Sequence, residues 1–343
     1  MNRQLYTDPM AAGMREVAEK AGVSIATVSN VLNRPQVVAE PTQERVREVM
    51  RDLGFVRNGS ARQLRAGTSE VICVVFPGFS AYFDELTRGV EERASEHGLV
   101  VFACATNDDT TKEETYLRVM MEQRVRGILL TRASNVFQSS GPKLRRHAPV
   151  VLVDLESPAH DHCSTAADDG HGSEVAVKHL HDLGHRRIAW VGPTKVPQMV
   201  TRADSIHRTA SDLGIEVLDV VTPPKTLVPA GQFAARELHD KGMPSAVICG
   251  NDLMAVGMEM ELKALGYSIP GDVSIVGYDD IEFAAAATVP LTTVARHPAR
   301  LGAAAVDLLL GGCGTRDDHT HQQLVFPSEL IVRSSTGPAR SAI

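Results

Sequence analysis

The sequence predicts an α/β protein: a small N-terminal three-helix domain, then a two-lobed core built on parallel sheets. Three observations predict it. Residues 14–53 carry apolar side chains at helical spacing with no strand pattern. Residues 57–70, "RNGSARQLRAGTSE", are polar and basic with two glycines and read as a linker. From Val71 onward, short β-rich runs alternate with amphipathic stretches. At 343 residues the chain can bury two or three domains, and 43% hydrophobic against 22% charged residues sets it apart from disordered sequences.

In "MREVAEKAGVSIATVSNVLN" (14–33), Met14, Val17, Ala18 and Ala21 repeat at i, i+3, i+4 and i+7 and form one apolar face. Gly22 breaks that helix, and Ser24 is placed to cap the next. Val28, Val31 and Leu32 point one way around the second helix, and Val46, Val49, Met50 and Leu53 stripe a third. Three such stripes can close on one another as a small core. Opposite Val28 and Val31, the residues Ala26, Ser29, Asn30 and Asn33 make a small, hydrogen-bonding face without large charge. A major groove about 12 Å wide admits such a helix, and asparagine can pair with the N6 and N7 edge of adenine. Serine and threonine hydroxyls can hold phosphates. A solvated polar face would look the same in isolation. The spacing of helix, Gly-Val turn and polar helix, however, is that of a helix-turn-helix.

Charge agrees. The chain carries −7 overall, yet residues 1–66 hold ten Lys/Arg against seven Asp/Glu, a basic head on an acidic body.

In the core, expected strands are "VICVVF" (71–76), "VVFACA" (100–105), "GILL" (127–130), "VVLV" (150–153), "IAWVG" (188–192), "AVICG" (246–250) and "VSIVG" (273–277). Helical patterns fall between them, as in "YFDELTRGVEERASEHG" and "GSEVAVKHLHDLG". Alternation of this kind argues for parallel sheets covered on both faces, in two lobes with a seam near residues 155–170. "GGCGTRDDHTHQQ" (311–323) reads as a polar loop. Trp190 lies within a strand and reads as core.

Parallel α/β sheets bind ligands beyond the carboxyl ends of their strands. Those ends offer Ser80, Tyr82 and Phe83, then Gln198 and Arg202, then Asn251 and Asp252, then Asp279. Asn251 and Asp279 could equally cap helices, and Arg202 could be a surface cation.

Catalysis is not expected. The chain lacks a G-x-x-x-x-G-K-[ST] loop, a G-x-G-x-x-G and a G-x-S-x-G elbow, and adjacency alone makes no acid/base pair of Asp168–Asp169 or Asp279–Asp280. No catalytic residue and no cofactor are assigned. "HDHC" (160–163) raises the question of a metal, but surface histidines account for it more simply, and His179 and His181, two apart on a helix, diverge. No metal ligand is assigned. Five cysteines without CxxC spacing read as free thiols in a reducing cytoplasm. No run approaches the roughly 20 apolar residues of a membrane span, and "MNRQLYTDPMAAGM" lacks the apolar stretch of a secretory signal. The expected location is the cytoplasm, with no membrane partner.

"AGVSIATVSNVLN" closely resembles the helix-turn-helix of the LacI/GalR family of bacterial transcription regulators, and the resemblance continues through "TQERVREVMRDLGF" and "RNGSARQLRAG" to about Thr336. It implies that Ile25, Ala26 and Asn30 read bases and that Ser24, Thr27, Ser29, Asn33 and Thr42 hold phosphates. It places Asn58 and Leu64 in a hinge helix that orders on operator DNA, with Leu64 wedged into the minor groove. Arg57 stands where a proline is usual, and Gly59 weakens the hinge helix by up to about 1 kcal/mol relative to alanine. The body resembles a periplasmic-binding-protein-like core, two lobes closing on a small effector. There Arg202 and Asp279 match the pair that grips ligand hydroxyls, Asn251 supports them, Asp168 adds an acceptor, and Tyr82 and Phe83 match an aromatic pair after the first strand.

An aromatic that many members stack on ligand falls at Thr226, and a glutamine of the crossover segment becomes Arg296. The family default is a sugar or sugar derivative; a second cation near Arg202 would instead suit an acidic or phosphorylated ligand. The resemblance further implies a homodimer on a pseudo-palindromic operator, most often a repressor. The expected organisation is residues 1–57 for DNA binding, 58–70 as hinge and 71–336 as effector and dimerisation core, with a tail at 337–343. Within the core the first lobe takes about 71–166 and 297–325, the second about 167–296 and 326–336.

Overall fold

The computed structural model describes residues 12–55, 69–132, 148–157, 159–223, 225–313 and 319–340. The chain forms two compact units, Met1–Gly67 and Thr68–Ile343.

In the first unit, α1 (Met14–Ala21) ends at Gly22, whose φ of +66° is the left-handed conformation a side chain resists; its N–H turns back to Ala18 and Glu19 carbonyls. The chain reverses and α2 (Ile25–Asn33) begins, capped by Ser24, whose Oγ accepts from Thr27 N at 3.0 Å. A 3-10 turn (Pro35–Val37) leads to α3 (Glu40–Asp52). Val17, Ala18, Ala21, Val28, Val31 and Val46 form the small core, closed by half-buried Leu32, Val49, Met50 and Leu53. Met14 departs from the predicted stripe: it opens α1 and is 40% exposed. Arg45 Nε donates to Ala21 O at 3.1 Å and ties α3 to the turn.

The second unit holds two six-stranded sheets. In chain order its elements are β1 (Val71–Phe76), α4 (Ala81–Ser95), β2 (Val100–Ala105), α5 (Thr110–Glu122), β3 (Gly127–Leu130), β4 (Val150–Val153), β5 (Cys163–Ala167), α6 (Asp169–Asp182), β6 (Arg187–Gly192), α7 (Pro197–Asp212), β7 (Glu216–Val221), α8 (Val228–Lys241), β8 (Ala246–Cys249), α9 (Asp252–Ala264), β9 (Ser274–Asp279), α10 (Glu282–Ala286), β10 (Thr292–Ala295), α11 (Pro298–Leu310), β11 (Gln323–Phe326) and β12 (Glu329–Ile331). The first sheet runs β11-β5-β4-β3-β1-β2, all parallel. The second runs β12-β10-β9-β8-β6-β7, parallel except where β12 returns against β10.

The chain passes between the sheets three times: after β5, after β10 and after β11. Both lobes therefore share three connections, and a ligand cleft is set between them. The seven predicted strands all form; β5, β7, β10, β11 and β12 add to them, and "GGCGTRDDHTHQQ" ends in β11. Trp190 is 4% exposed and lies in the core of the second lobe.

Each lobe buries one helix pair at backbone contact. In the first, an added Cβ at Gly89 of α4 would sit 2.1 Å from Ala299 O of α11, and one at Gly302 of α11 would sit 2.3 Å from Leu86 O. In the second, one at Gly257 of α9 would sit 2.0 Å from Val228 O of α8. Glycine is required there because the helices touch main chain to main chain.

Candidate functional site

The outer side of α2 presents Ile25, 43% exposed, with Ala26 and Asn33 also exposed; Thr27, Ser29 and Asn30 are half-buried, and Val28 and Val31 face the core. The polar side chains are held in order along the helix. Ser24 Oγ and Thr27 Oγ1 lie 2.9 Å apart, and Asn33 Nδ2 donates to Ser29 O at 2.8 Å. Thr42 is half-buried in the first turn of α3. A small, weakly charged helix face results, backed by a three-helix core. Asn58 and Leu64 lie outside the described residues.

The second site is a cavity of about 340 Å³ between the two lobes. It is lined from the carboxyl ends of strands in both sheets, where side chains can project past the last strand residue without disturbing a ladder. The first lobe contributes Phe79, Ser80, Tyr82, Phe83 and Asp154; the second contributes Gln198, Arg202, Asn251, Asp252 and Asp279; the second crossing contributes Arg296.

At its base two buried guanidiniums meet three carboxylates. Arg202 Nε donates to Asp169 Oδ1 at 3.2 Å, its Nη1 donates to Gly250 O, and its guanidinium lies 3.7 Å over the Tyr278 ring. Its Nη2 is 3.6 Å from Asp279 Oδ1. Arg296 Nη2 donates to Asp154 Oδ1 at 2.5 Å and to Asp169 Oδ2 at 3.2 Å, and Nη1 reaches Asp279 Oδ1 at 3.4 Å. Burial works against both charges, and the surrounding carboxylates outweigh it and keep each arginine protonated. Burial likewise raises the Asp279 carboxyl to about 6, with Arg202 and Arg296 opposing. Asp252, fully buried between Thr293 Oγ1 at 2.5 Å and Ile281 N at 2.9 Å, is pushed upward by burial as well.

The backbone here is unusual. Asn107, Asp108, Asp154 and Asp279 line the cavity with positive φ, at 55°, 61°, 60° and 104°. Such conformations cost about 1–3 kcal/mol each and gather where a site needs them. At Asp279 the reversal turns the carboxylate from the end of β9 into the cleft.

The predicted cleft residues separate into two groups. Ser80, Tyr82, Phe83, Gln198, Arg202, Asn251 and Asp279 all line the cavity. Ser80 also caps α4, accepting from Phe83 N, and Asn251 caps α9 while its Nδ2 donates to Thr226 O at 2.9 Å. Gln198 Nε2 donates across the cleft to Asp154 O at 2.6 Å. Arg202, 1% exposed, is not a surface cation. Asp168 is corrected: it caps α6 through His171 N at 2.8 Å and is not among the cavity-lining residues, whereas its neighbour Asp169 holds both arginines. Asp168 is the N-cap and Asp169 the first helical residue, so the two side chains leave in different directions: capping takes one carboxylate and the buried network the other.

Arg296 is the second cation beside Arg202: both guanidiniums contact Asp169 and Asp279. Arg296 is 3% exposed and ion-paired with Asp154, Asp169 and Asp279, so its charge is met within the protein. Sequence reasoning missed Asp154, and it missed Phe79, an aromatic 69% exposed that lines the cavity beside Phe76.

Comparison with known proteins places both sites in context. Residues 13–58 match the family model for bacterial regulatory proteins of the lacI family, and residues 177–336 match a periplasmic binding protein-like domain. The HTH-type transcriptional repressor PurR of Photobacterium profundum is 32% identical over 334 residues, covering 94% of this chain and 98% of that protein. The crystal structure of the lac repressor dimer bound to operator and the anti-inducer ONPF superposes with a TM-score of 0.83 at 25% identity, covering 95% of this chain and 99% of that one. A LacI family transcriptional regulator from Enterococcus faecium with bound ribose superposes at 0.70 with 26% identity, covering 79% of this chain and 100% of the other.

Proposed function

We propose a division of labour within this chain, which belongs to the LacI family of bacterial regulatory proteins and is a ligand-responsive DNA-binding transcriptional regulator, not an enzyme. The face of α2 enters the major groove of an operator, Ile25, Ala26 and Asn30 meeting base edges and Ser24, Thr27, Ser29, Asn33 and Thr42 meeting phosphates. Asn58 and Leu64 act in the hinge. Residues 1–57 bind DNA, 58–70 connect, and 71–336 sense the effector and dimerise. The protein works as a repressor in the cytoplasm, as a homodimer on an inverted-repeat operator. The exposed apolar edge of β2, with Val100 and Phe102 each 55% exposed, offers surface to a second copy.

The effector is a neutral, hydroxyl-rich molecule of sugar type. The observation that carries this is the internally neutralised base of the cleft: both arginines are committed to carboxylates, so neither guanidinium is left over to pair with a ligand anion. Asp279 and Asn251 accept and donate hydrogen bonds to hydroxyls, and Phe79 supplies an apolar ring face of the kind that covers a sugar ring. Among the relatives, ribose occupies the E. faecium regulator.

Binding that favours one separation of the lobes shifts the population of DNA-competent dimers by its difference in affinity between states. A thermal-shift screen of sugars, nucleosides and carboxylic acids tests this. A neutral polyol that raises Tm in the native protein but not in Asp279→Asn, and that changes operator affinity, supports the reading. Stabilisation by acids alone would overturn it.

A further inference from the structure

We infer that the first lobe carries a metal site, in which Cys163, Cys313, His319 and His321 hold one divalent cation of zinc type. One ligand atom from each of these four residues lies within 4.8 Å of all the others. Cys163 Sγ is 3.1 Å from His319 Nε2 and 3.8 Å from His321 Nδ1. Donor atoms around a tetrahedral zinc, about 2.3 Å away for sulfur and about 2.0–2.1 Å for nitrogen, stand about 3.3–3.8 Å from one another. The two observed separations bracket that spacing. Two thiolates and two imidazoles are also the donor set that selects zinc over harder cations.

The fold, not local spacing, assembles the four. Cys163 opens β5, Cys313 lies just past α11, and His319 and His321 lead into β11, whose Gln323 pairs with Ser164. Both cysteines are fully buried and both histidines half-buried. Two imidazole nitrogens face the Cys163 sulfur, and Cys313 Sγ lies 3.7 Å from Val150 O. Beside the cluster, the buried His162 ring stacks 6.2 Å from His321, and its Nδ1 is 2.8 Å from Asp161 Oδ1.

Of the "HDHC" segment only Cys163 joins the cluster; His160 bonds Gln323 Nε2 at 2.7 Å instead. Four protein donors close the coordination sphere, which marks a structural site. The cation would fasten the end of α11 to the starts of β5 and β11, both of which cross to the second lobe at their far ends.

The test titrates reduced, full-length protein with Co²⁺ as a spectroscopic probe, followed by Zn²⁺. One equivalent of Co²⁺ should give tetrahedral visible bands and thiolate-to-cobalt charge transfer, one equivalent of Zn²⁺ should displace it, and Zn²⁺ should raise Tm. Cys163→Ser/Cys313→Ser should abolish the charge-transfer band. His319→Ala/His321→Ala keeps both thiols and should lose one-equivalent, tetrahedral binding; it carries the test alone should the cysteine variant not fold. Absence of saturable uptake, a six-coordinate cobalt spectrum, or unchanged uptake in the histidine variant would overturn the site. So would a Cys163–Cys313 disulfide that takes up no metal once reduced.

Discussion

Arg296 Nη2 stands 2.5 Å from Asp154 Oδ1, and this buried pair joins the crossing that leaves β10 to the end of β4 in the other lobe. The same guanidinium contacts Asp169 and Asp279, so one side chain binds the lobes together and sets the electrostatics of the cleft. Gln198 repeats the link through Asp154 O.

Replacing Arg296 with Met should therefore cost more than a surface ion pair would. It leaves Asp154, Asp169 and Asp279 facing one remaining arginine in a buried site. Removing one partner of a buried pair costs about 3–5 kcal/mol, so urea unfolding should show a loss of that order. Neutralising Asp154 with Asn should cost less, because Arg296 keeps two other carboxylates.

Asp279 gives the cleft a pH dependence. Its folded value of about 6 exceeds the roughly 3.9 of an unfolded aspartate. Between those values the folded state binds more protons, so this group's contribution to stability declines as pH rises from about 4 to 6. A hydroxyl ligand donates to the ionised form. Effector affinity measured by calorimetry should thus rise as pH increases through about 6 and level off above it. Asp279→Asn should bind weakly and lose that dependence.

The glycine contacts predict a different failure. In Gly302→Ala the new Cβ would lie 2.3 Å from Leu86 O, a backbone atom that cannot swing aside. Forcing α4 and α11 apart should cost about 1–3 kcal/mol or more, read as a lower urea midpoint. Gly22→Ala should also destabilise, through its φ of +66° rather than through crowding, since no atom lies within 4 Å of the added carbon.

In the DNA-binding unit, structure and specificity should separate. Ser24→Ala removes the α2 cap and should lower stability by about 1 kcal/mol. Asn30 lies outside the small core, so Asn30→Ala should leave stability nearly unchanged while shifting base preference by about 1–3 kcal/mol at one operator position. Operator affinity should fall steeply and linearly on a log–log plot against salt.

Legibility in the sequence followed the size of the local signal. The long β-branched runs at Val71–Phe76 and Val150–Val153 announced their strands, and the Val28 and Val31 stripe announced the face opposite it. β5, "CSTAA", did not: its five buried residues are small and carry no alternation, and its pairing is set by neighbours distant in sequence. The cleft was half legible. Residues just past strong strands, such as Arg202 and Asp279, could be placed from strand ends, but Asp154 follows β4 without any polar pattern of its own. Asp168 and Asp169 are chemically identical in sequence, and only the helix geometry assigns one to the cap and the other to the arginines.

Whether α2 reads a specific duplex sequence as part of a two-fold assembly is tested most directly by selecting bound duplexes from a random-sequence pool with the full-length protein. Enrichment of an inverted repeat, with the preferred bases altered in the Asn30→Ala protein, is the predicted result. A folded protein that enriches no sequence at low ionic strength, or whose preference Asn30→Ala leaves untouched, would contradict it.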